Sequence, residues 1–364
     1  MRCYSDLEVK VLAEQGQVVI INDDKVYDVT DFVERHPGGK HYLLDHVGED
    51  VTNLMSGESP HQHTPAAMTI LKKYCIGQYK HYQGKNGLKH REINGNVKNG
   101  IVKNENLSKD EHQLTTDYSD EMEKLVDWDK PMIAQVADLG DRYFEWVHYP
   151  EDKHLRLFKS DFVEYFSMCP WYVVPIYWVP VLFLFLIKSY HLLSEAPCIF
   201  PDSQYGIEVT PRYMPLIFML GLISWTLDEY VIHRWMFHLR PPSDSRLLVT
   251  IHFLLHGQHH KTPLDKKRLV FPPVPATVLG ITLYSIYATV VPHAITLSFA
   301  AGTVTGYIVY DLTHYFLHHG RPTMPYFKSL KKYHVKHHFE NQQLGFGISS
   351  KLWDYPFGTL IPDC

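Results

Sequence analysis

Histidines recur in the C-terminal part of the chain in four groups. Thirteen of the 24 histidines lie between Asp228 and Glu340. Side chains three or four residues apart share one face of a helix, so each group can direct two or three imidazoles towards one point. Imidazole is a common protein ligand for zinc, copper and iron, and four such groups predict a cage for two metal ions. The ten candidate ligands are His233 and His238; His256, His259 and His260; His314 and His318; and His334, His337 and His338.

Long uncharged stretches predict that the same part of the chain is embedded in a membrane. Residues 169–187 and 213–227 carry no charge, and residues 269–310 form an uncharged stretch of 42 residues that is broken near Pro292. About 20 apolar residues cross a bilayer as a helix, so the third stretch has room for two spans and four spans are predicted in all. The histidine groups fall beyond the span ends. We therefore expect an all-α membrane domain with a histidine-rich metal cap on one side.

Basic residues near the histidines indicate that this side is cytosolic, by the positive-inside rule. An even number of spans would place both termini on the same side. The first ten residues contain no apolar segment, so no signal peptide is predicted. The five cysteines form no CxxC motif, which is typical of reduced thiols. The basic residues are Lys261, Lys266, Lys267, Arg268, Lys331, Lys332 and Lys336.

Charge and composition divide the chain into four predicted segments. Residues 1–85 carry 12 Asp/Glu and 9 Lys/Arg, a net charge of −3, whereas residues 228–364 carry 8 and 13, a net charge of +5. Opposite charges favour docking of one part on the other, although ordinary variation in surface charge accounts for them equally well. The polar residues 86–120 predict a flexible linker. Residues 121–168 form an amphipathic connecting segment, expected either on the membrane surface or packed against the catalytic part, and residues 169–364 form the membrane domain.

The N-terminal segment carries two histidines suited to hold a haem. Residues 15–34 predict a β-hairpin, because apolar residues flank a turn at Asn22. His36 follows on a Pro-Gly-Gly turn that lets the backbone approach a flat ligand, and His63 precedes a second helix. Two histidines that clamp a haem iron from both faces leave no open coordination position, which suits electron transfer. His61 is an alternative second ligand.

Residues 9–80 resemble the cytochrome b5 family. The resemblance rests on YDVTDF, HPGG, GED and the closing IGQY. It implies an α+β fold, haem b as the cofactor, and His36 and His63 as the axial ligands. The chain departs from the family at the second ligand, where Gln62-His63-Thr64 replaces the usual Gly-His-Ser and leaves the choice between His61 and His63 open.

Ten imidazoles without cysteine ligands favour a redox centre over a structural zinc site. Structural zinc sites are usually closed, with four ligands and with cysteine among them. A haem domain on the same chain can deliver electrons one at a time to metals that activate O₂, and non-haem iron fits that role. Oxidation of an unactivated C–H bond by such metals would need a dry, apolar pocket beside them.

The rest of the chain resembles the fatty acid 2-hydroxylase family of the sterol desaturase and hydroxylase superfamily. The resemblance rests on HGQHHKTPLDKKRLVFPPVPA, GYIVYDLTHYFLHH, KKYHVKHHF and GFGISSKLWDYPFGTL. It implies a membrane-bound di-iron monooxygenase that hydroxylates C2 of long-chain fatty acyl groups, free or in ceramide, for 2-hydroxy sphingolipids. The ten histidines named above correspond to the family's metal ligands.

The resemblance also implies cofactors, partners and a location. O₂ is the co-substrate, and electrons come from NAD(P)H through cytochrome b5 reductase or cytochrome P450 reductase. The expected location is the endoplasmic reticulum membrane, with membrane lipids as neighbours and no nucleic acid as a partner. Zinc can replace iron in purified material, because it binds nitrogen ligands more tightly than Fe²⁺.

Three histidines and one aspartate near the groups have no assigned role. His252 lies four residues before His256 and is expected either near the metals or in packing, His319 is expected to point away from them, and His293 belongs to no group. Asp311 is expected either to hydrogen-bond a ligating imidazole or to cap a helix.

Two other functions are open at this point. A desaturase of the same histidine-rich type is one, although such enzymes typically carry Gln in place of His334 and the pair His314 and His318 favours a hydroxylase. A membrane haem protein that only carries electrons, with structural zinc at the histidines, is the other. Metal analysis and a product assay distinguish these functions.

Overall fold

The computed structural model describes residues 2–56, 63, 65–80, 121–202 and 205–362. The predicted linker at residues 86–120 and the alternative haem ligand His61 lie outside the described residues. The chain divides into two compact units, Met1–Leu125 and Val126–Cys364.

The first unit is built on a four-stranded sheet in the order β1-β4-β3-β2. The predicted hairpin is confirmed: β2 and β3 pair antiparallel, with Val19 opposite Asp28. Asp23 and Asp24 at its turn have positive φ angles of 46° and 56°, as a tight hairpin turn requires. The strands are β1 (Arg2–Tyr4), β2 (Val19–Asn22), β3 (Lys25–Asp28) and β4 (Cys75–Tyr79), and the helices are α1 (Asp6–Glu14), α2 (His41–Leu44), α3 (Thr52–Ser56) and α4 (Pro65–Lys72), with a 3₁₀ turn at Thr30–Arg35.

The second unit begins with the segment that connects it to the predicted membrane domain. It contains helices α5 (Met132–Val136) and α6 (Tyr143–Val147), and Trp146 on α6 is completely buried. This part therefore packs within the unit, which was one of the two expected positions. The next helix, α7 (Asp161–Ser167), differs, because it leaves Phe162 and Phe166 73% and 65% exposed. Its opposite face is held by Glu164, which pairs with Arg268.

Among the described residues of this unit, three helices are long and apolar enough to cross a membrane. They are α8 (Val173–Glu195), α9 (Met214–Val231), which is extended by the turns on either side of it, and α13 (His293–His319). A fourth apolar helix, α12 (Pro273–Ala288), has 16 residues and is shorter than the others, so the fourth span stays a prediction. The unit is not purely helical, since β5 (Cys198–Phe200) and β6 (Ile207–Val209) form a short hairpin between α8 and α9.

Helices α9 and α13 approach each other closely enough to require glycine. A Cβ atom on Gly221 would lie 2.0 Å from the carbonyl oxygen of Phe299, and one on Gly302 would lie 2.0 Å from that of Phe218. Small residues allow two helix backbones to meet in this way in membranes. The remaining described helices of this unit carry five of the ten candidate ligands: they are α10 (Arg246–His252), α11 (Gln258–Lys261) and α14 (Pro325–Phe339).

Candidate metal centre and haem site

The ten predicted histidines come together in the second unit as two groups of five. Within each group, one ligand atom of every residue lies within 4.8 Å of the others, and all ten side chains are buried. Site A consists of His233, His238, His256, His260 and His337. Site B consists of His259, His314, His318, His334 and His338.

The two HxxHH motifs each contribute to both sites. His256 and His260 lie in site A while His259 lies in site B, and the neighbours His337 and His338 are likewise divided. Adjacent residues on a helix point about 100° apart, so one short helix can serve two neighbouring sites. The rings of His260 and His338 stack across the boundary with centroids 4.3 Å apart.

A π-helical turn explains how His233 and His238 meet. Residues five apart diverge by about 140° on an α-helix of 3.6 residues per turn. Here Ile232–Phe237 is π-helical, and the His238 amide donates to the carbonyl oxygen of His233 at 3.1 Å. The wider turn brings the two Nε2 atoms within 3.2 Å. A second π-helical segment, Phe253–Gly257, carries His256; such segments are frequent at functional sites.

The ring nitrogens are spaced as ligands of one cation would be. In site A the Nε2 atoms of His256 lie 3.1 Å from His233 and 3.0 Å from His260. In site B the Nε2 atoms of His334 lie 2.9 Å from His318 and 3.1 Å from His338. Nitrogens bound at right angles at about 2.1 Å from a metal would be about 3.0 Å apart, against about 3.4 Å for a tetrahedral site. Each group would thus offer five imidazole nitrogens to one metal ion.

The hydrogen bonds of two site A imidazoles show that their Nε2 atoms carry lone pairs. The Nδ1–H of His233 donates to the carbonyl oxygen of Phe346 at 2.6 Å, and that of His337 donates to Leu344 at 2.7 Å. Each Nε2 atom therefore faces the other nitrogens as an acceptor. In site B the Nε2 atom of His314 is buried without a hydrogen-bond partner. Convergent acceptors repel one another unless a cation lies between them, so both sites fit a metal ion.

Burial keeps the imidazoles in the neutral form that binds metals. It lowers the pKa of His259 from 6.5 to about 3, and it lowers the pKa of His256 and His338 well below the usual range. The neighbouring imidazoles act in the same direction, since a second positive charge in the cluster would be repelled.

A C-terminal loop, Leu344–Ser349, supplies the carbonyl oxygens that orient site A. Asp354 accepts from the amides of Phe346 and Gly347, both at 2.9 Å. Glu229 accepts from the amides of Ile348 at 2.9 Å and Ser349 at 2.8 Å. Two buried carboxylates thus hold the loop in place. No spacing pattern in the sequence indicated either of them.

The remaining residues near the histidine groups lie outside both sites. Nδ1 of His252 and the Tyr143 hydroxyl are hydrogen-bonded at 2.6 Å, as expected for a packing residue. His293 pairs with Tyr284. His319 belongs to neither group, and its ring lies 5.1 Å from that of Tyr315.

The hydrogen bonds of Asp311 correspond to neither of its two expected roles, which were a bond to a ligating imidazole and a helix cap. It accepts from the backbone amide of Phe271 at 3.1 Å and from the Tyr307 hydroxyl at 3.1 Å. It thereby anchors the chain just before α12.

His148 lies close to site A but was not among the predicted residues. Its ring is 5.6 Å from that of His260 and 6.3 Å from that of His238, and its Nδ1 lies 2.7 Å from the carbonyl oxygen of Phe144. It stands alone in the sequence, so spacing did not single it out.

An apolar cavity of about 380 Å³ lies among the apolar helices. It is lined by residues of α8, α9, α12 and α13. Phe237, Phe271 and Tyr310 also line it. The same three residues line a small pocket of about 20 Å³ that also touches His256 of site A and His259 of site B. An extended apolar ligand in the cavity would therefore have one end beside both sites.

The first unit places the rings of His36 and His63 near each other. Their centroids are 6.5 Å apart and their planes are 30° apart. Two imidazoles bound to one iron through Nε2 at about 2 Å would have centroids about 6 Å apart. The Nδ1 atom of His36 lies 2.9 Å from the carbonyl oxygen of Gly39, which leaves its Nε2 for the iron. The pair fits an axially ligated haem.

Comparison with known proteins agrees with both units. A cytochrome b5-like heme/steroid binding domain model matches residues 5–80, and a fatty acid hydroxylase model matches residues 218–359, which include all ten histidines. The chain is 40% identical to "Fatty acid 2-hydroxylase" of Macaca fascicularis, over 99% of this chain and 95% of that protein. It is 32% identical to "Ceramide very long chain fatty acid hydroxylase SCS7" of Saccharomyces cerevisiae, over 95% and 91%.

A solved structure extends the comparison to three dimensions. Full-length scs7p, in which only the hydroxylase domain is visible, has a TM-score of 0.58 and 33% identity, covering 68% of this chain and 91% of that one. Together these matches define a membrane hydroxylase with a fused cytochrome b5-like domain. The chain belongs to the fatty acid 2-hydroxylase family, since the similarity extends over nearly its whole length.

Proposed function

We propose that the protein hydroxylates C2 of long-chain fatty acyl groups, free or amide-linked in ceramide, for the synthesis of 2-hydroxy sphingolipids. The observation that carries the proposal is the apolar cavity whose inner end, at Phe237, Phe271 and Tyr310, adjoins both five-histidine sites. An acyl chain in this cavity would present carbons near its carboxyl end to the metals. Relatives named as a fatty acid 2-hydroxylase and a ceramide very long chain fatty acid hydroxylase support the same substrate class.

The ten histidines of sites A and B are proposed as the ligands of two iron ions. Bound iron would supply the reductive activation of O₂, in which one oxygen atom enters the C–H bond and two electrons and two protons convert the other to water. The chain's own contribution is to exclude water, since the cavity walls are mostly apolar. The backbone carbonyls of Phe346 and Leu344 hold two of the imidazoles with Nε2 directed inward.

The first unit is proposed to deliver the electrons. Its haem b would be held by His36 and His63 and would accept electrons from NAD(P)H through cytochrome b5 reductase or cytochrome P450 reductase. Two axial imidazoles leave no position for O₂, so such a haem transfers electrons only. Residues 86–120 are proposed as the linker between this unit and the hydroxylase part.

The proposed location is the endoplasmic reticulum membrane, with both termini and the metal centre in the cytosol. The support is the excess of lysine and arginine around the histidine groups. Three apolar helices of spanning length are consistent with a multi-pass protein.

Substitution of single ligands tests the proposal. Loss of one imidazole opens a coordination position, so we expect alanine variants of the ligands to produce no 2-hydroxylated lipid while they still insert and their haem is still reduced. His319→Ala is the matched control, because it lies beside His318 but in neither site. The measurement is hydroxylated sphingolipid per unit of membrane-inserted protein in a host without its own enzyme. The five variants are His256→Ala, His260→Ala, His314→Ala, His334→Ala and His338→Ala.

Near-normal product from two or more of the five variants would refute the di-iron proposal. Metal analysis after anaerobic loading with iron or with zinc separates the alternatives further: only the iron-loaded protein should turn over. If the haem can be reduced but the protein holds zinc and forms no oxidised lipid after loading with iron, the protein would be an electron carrier.

A further inference from the structure

The cavity follows one face of α13 over most of its length. Its lining from this helix includes His293, Leu297, Ala300, Thr303, Tyr307 and Tyr310. At 1.5 Å per residue, the 17 steps from His293 to Tyr310 extend about 25 Å. A bilayer leaflet contributes about 15 Å of hydrocarbon, half of a core about 30 Å thick. The stretch of α13 that lines the cavity is therefore longer than one leaflet is thick.

A polar pair lies at the end of the cavity that is remote from the metal sites, where His293 is exposed. The Tyr284 hydroxyl of α12 and Nδ1 of His293, the first residue of α13, are 2.5 Å apart, and both residues line the cavity. The ring of Phe185 lies 6.3 Å from that of Tyr284. Leu297, one turn further in, is buried and apolar. A chain that reaches this end meets the pair.

We propose that Tyr284 and His293 set the longest acyl chain that the protein accepts; the inference rests on the proposed function. A chain that falls short of the end leaves part of the cavity unfilled and lacks the packing contacts available there, so it binds less tightly. A chain that extends beyond the end brings its methyl group among the polar atoms of the pair, which is unfavourable. Preference rises with length up to the pair and then falls.

Two substitutions that move the end of the cavity in opposite directions test this inference. Leu297→Trp fills the cavity about one helical turn, roughly 5 Å, before the present end. It should lower the yield of the longest hydroxylated chains at least tenfold relative to the shortest. Tyr284→Ala removes the ring at the end and should shift the product profile to longer chains. Tyr284→Phe keeps the ring and removes only the hydrogen bond, so its shift should be smaller.

The control is Ile286→Ala on the same helix, because this side chain is 56% exposed and is not part of the cavity lining. The assay uses the full chain in membranes of a host without its own hydroxylase. The host is supplied with saturated acyl chains that differ by two carbons, from chains of one leaflet's length to chains of nearly two. Each 2-hydroxylated product is quantified, and haem and metal contents confirm that every variant is folded.

The outcomes separate this inference from the proposed function. Opposite shifts in Leu297→Trp and Tyr284→Ala, with an unchanged profile in Ile286→Ala, support the inference. An unchanged profile in Tyr284→Ala at normal total yield overturns it and leaves the proposed function standing, even if Leu297→Trp does not fold. A wild-type protein that forms no 2-hydroxylated product of any length overturns the proposed function instead.

Discussion

Replacing Asp354 by Asn should weaken one of the two metal sites and spare the other. The Asp354 carboxylate uses both oxygens on the loop: one accepts from Phe346 N–H and from the Thr359 hydroxyl, the other from Gly347 N–H. An asparagine offers only one oxygen. Whichever way its amide lies, one buried backbone N–H loses its acceptor and faces an NH₂ group.

The size of the effect follows from that lost acceptor. A buried donor without a partner costs about 1–3 kcal/mol, and about 1.4 kcal/mol corresponds to a factor of ten. The arrangement that places the Phe346 carbonyl on His233 should therefore be disfavoured by about 5- to 150-fold. Loss of a partner that orients a metal-binding imidazole typically reduces metal affinity by about 10- to 100-fold, which agrees.

Site B should keep its affinity in this variant. Among the described residues, the imidazoles that hydrogen-bond to the loop are His233 and His337, and both belong to site A. Titration of the iron-loaded protein with a chelator should therefore remove one metal at about 10- to 100-fold lower chelator concentration than in the wild type, and the second at the usual concentration.

The control is Asp244→Asn, which changes the charge equally at an exposed position. Equal loss of both metals in Asp354→Asn would show that the loop supports the whole unit, and two unchanged transitions would show that it does not orient site A. Because Asp354 is not part of the cavity lining, the result does not depend on substrate binding.

Two further predictions concern the haem unit. His36→Ala or His63→Ala should abolish the low-spin, six-coordinate haem spectrum, because the two rings lie near each other at about the spacing of axial ligands; retention in His63→Ala with loss in His61→Ala would transfer the second ligand to His61. Electron transfer from the haem to the metals should slow as salt rises, because the net charges of residues 1–85 and 228–364 are −3 and +5 and exposed charges are screened beyond about 8 Å at physiological ionic strength. A rate that does not depend on salt would rule out electrostatic docking.

Local spacing predicted the candidate ligands because it reports which side chains share a face. It placed His256 and His260 together, and the structure has both in site A. It could not divide the ten histidines between two sites, since that depends on which helices meet. The pair His233 and His238 shows the limit, because five residues apart is a poor α-helical spacing and only a π-helical turn brings the two rings together.

Contacts made by irregular backbone were beyond the reach of sequence patterns. The carbonyl oxygens of Leu344 and Phe346 orient two ligands, yet any residue type carries a carbonyl. Uncharged length likewise predicted where apolar helices form but not their ends, so α12 has 16 residues where a full span was expected. The β5–β6 hairpin falls between two apolar helices, where no alternating pattern marked it.

The division of each HxxHH motif between two sites has a physical consequence. His259 and His260 are joined by one peptide bond, as are His337 and His338, and in both pairs the two residues belong to different sites. The distance between the two sites is thereby fixed by the backbone of two helical turns and does not depend on the rotamers of distant side chains. A displacement of either turn must move ligands of both sites together, so substitutions on α11 and α14 should not be additive in their effect on metal binding. Two metals held in this way would be presented to the end of the cavity as one rigid unit.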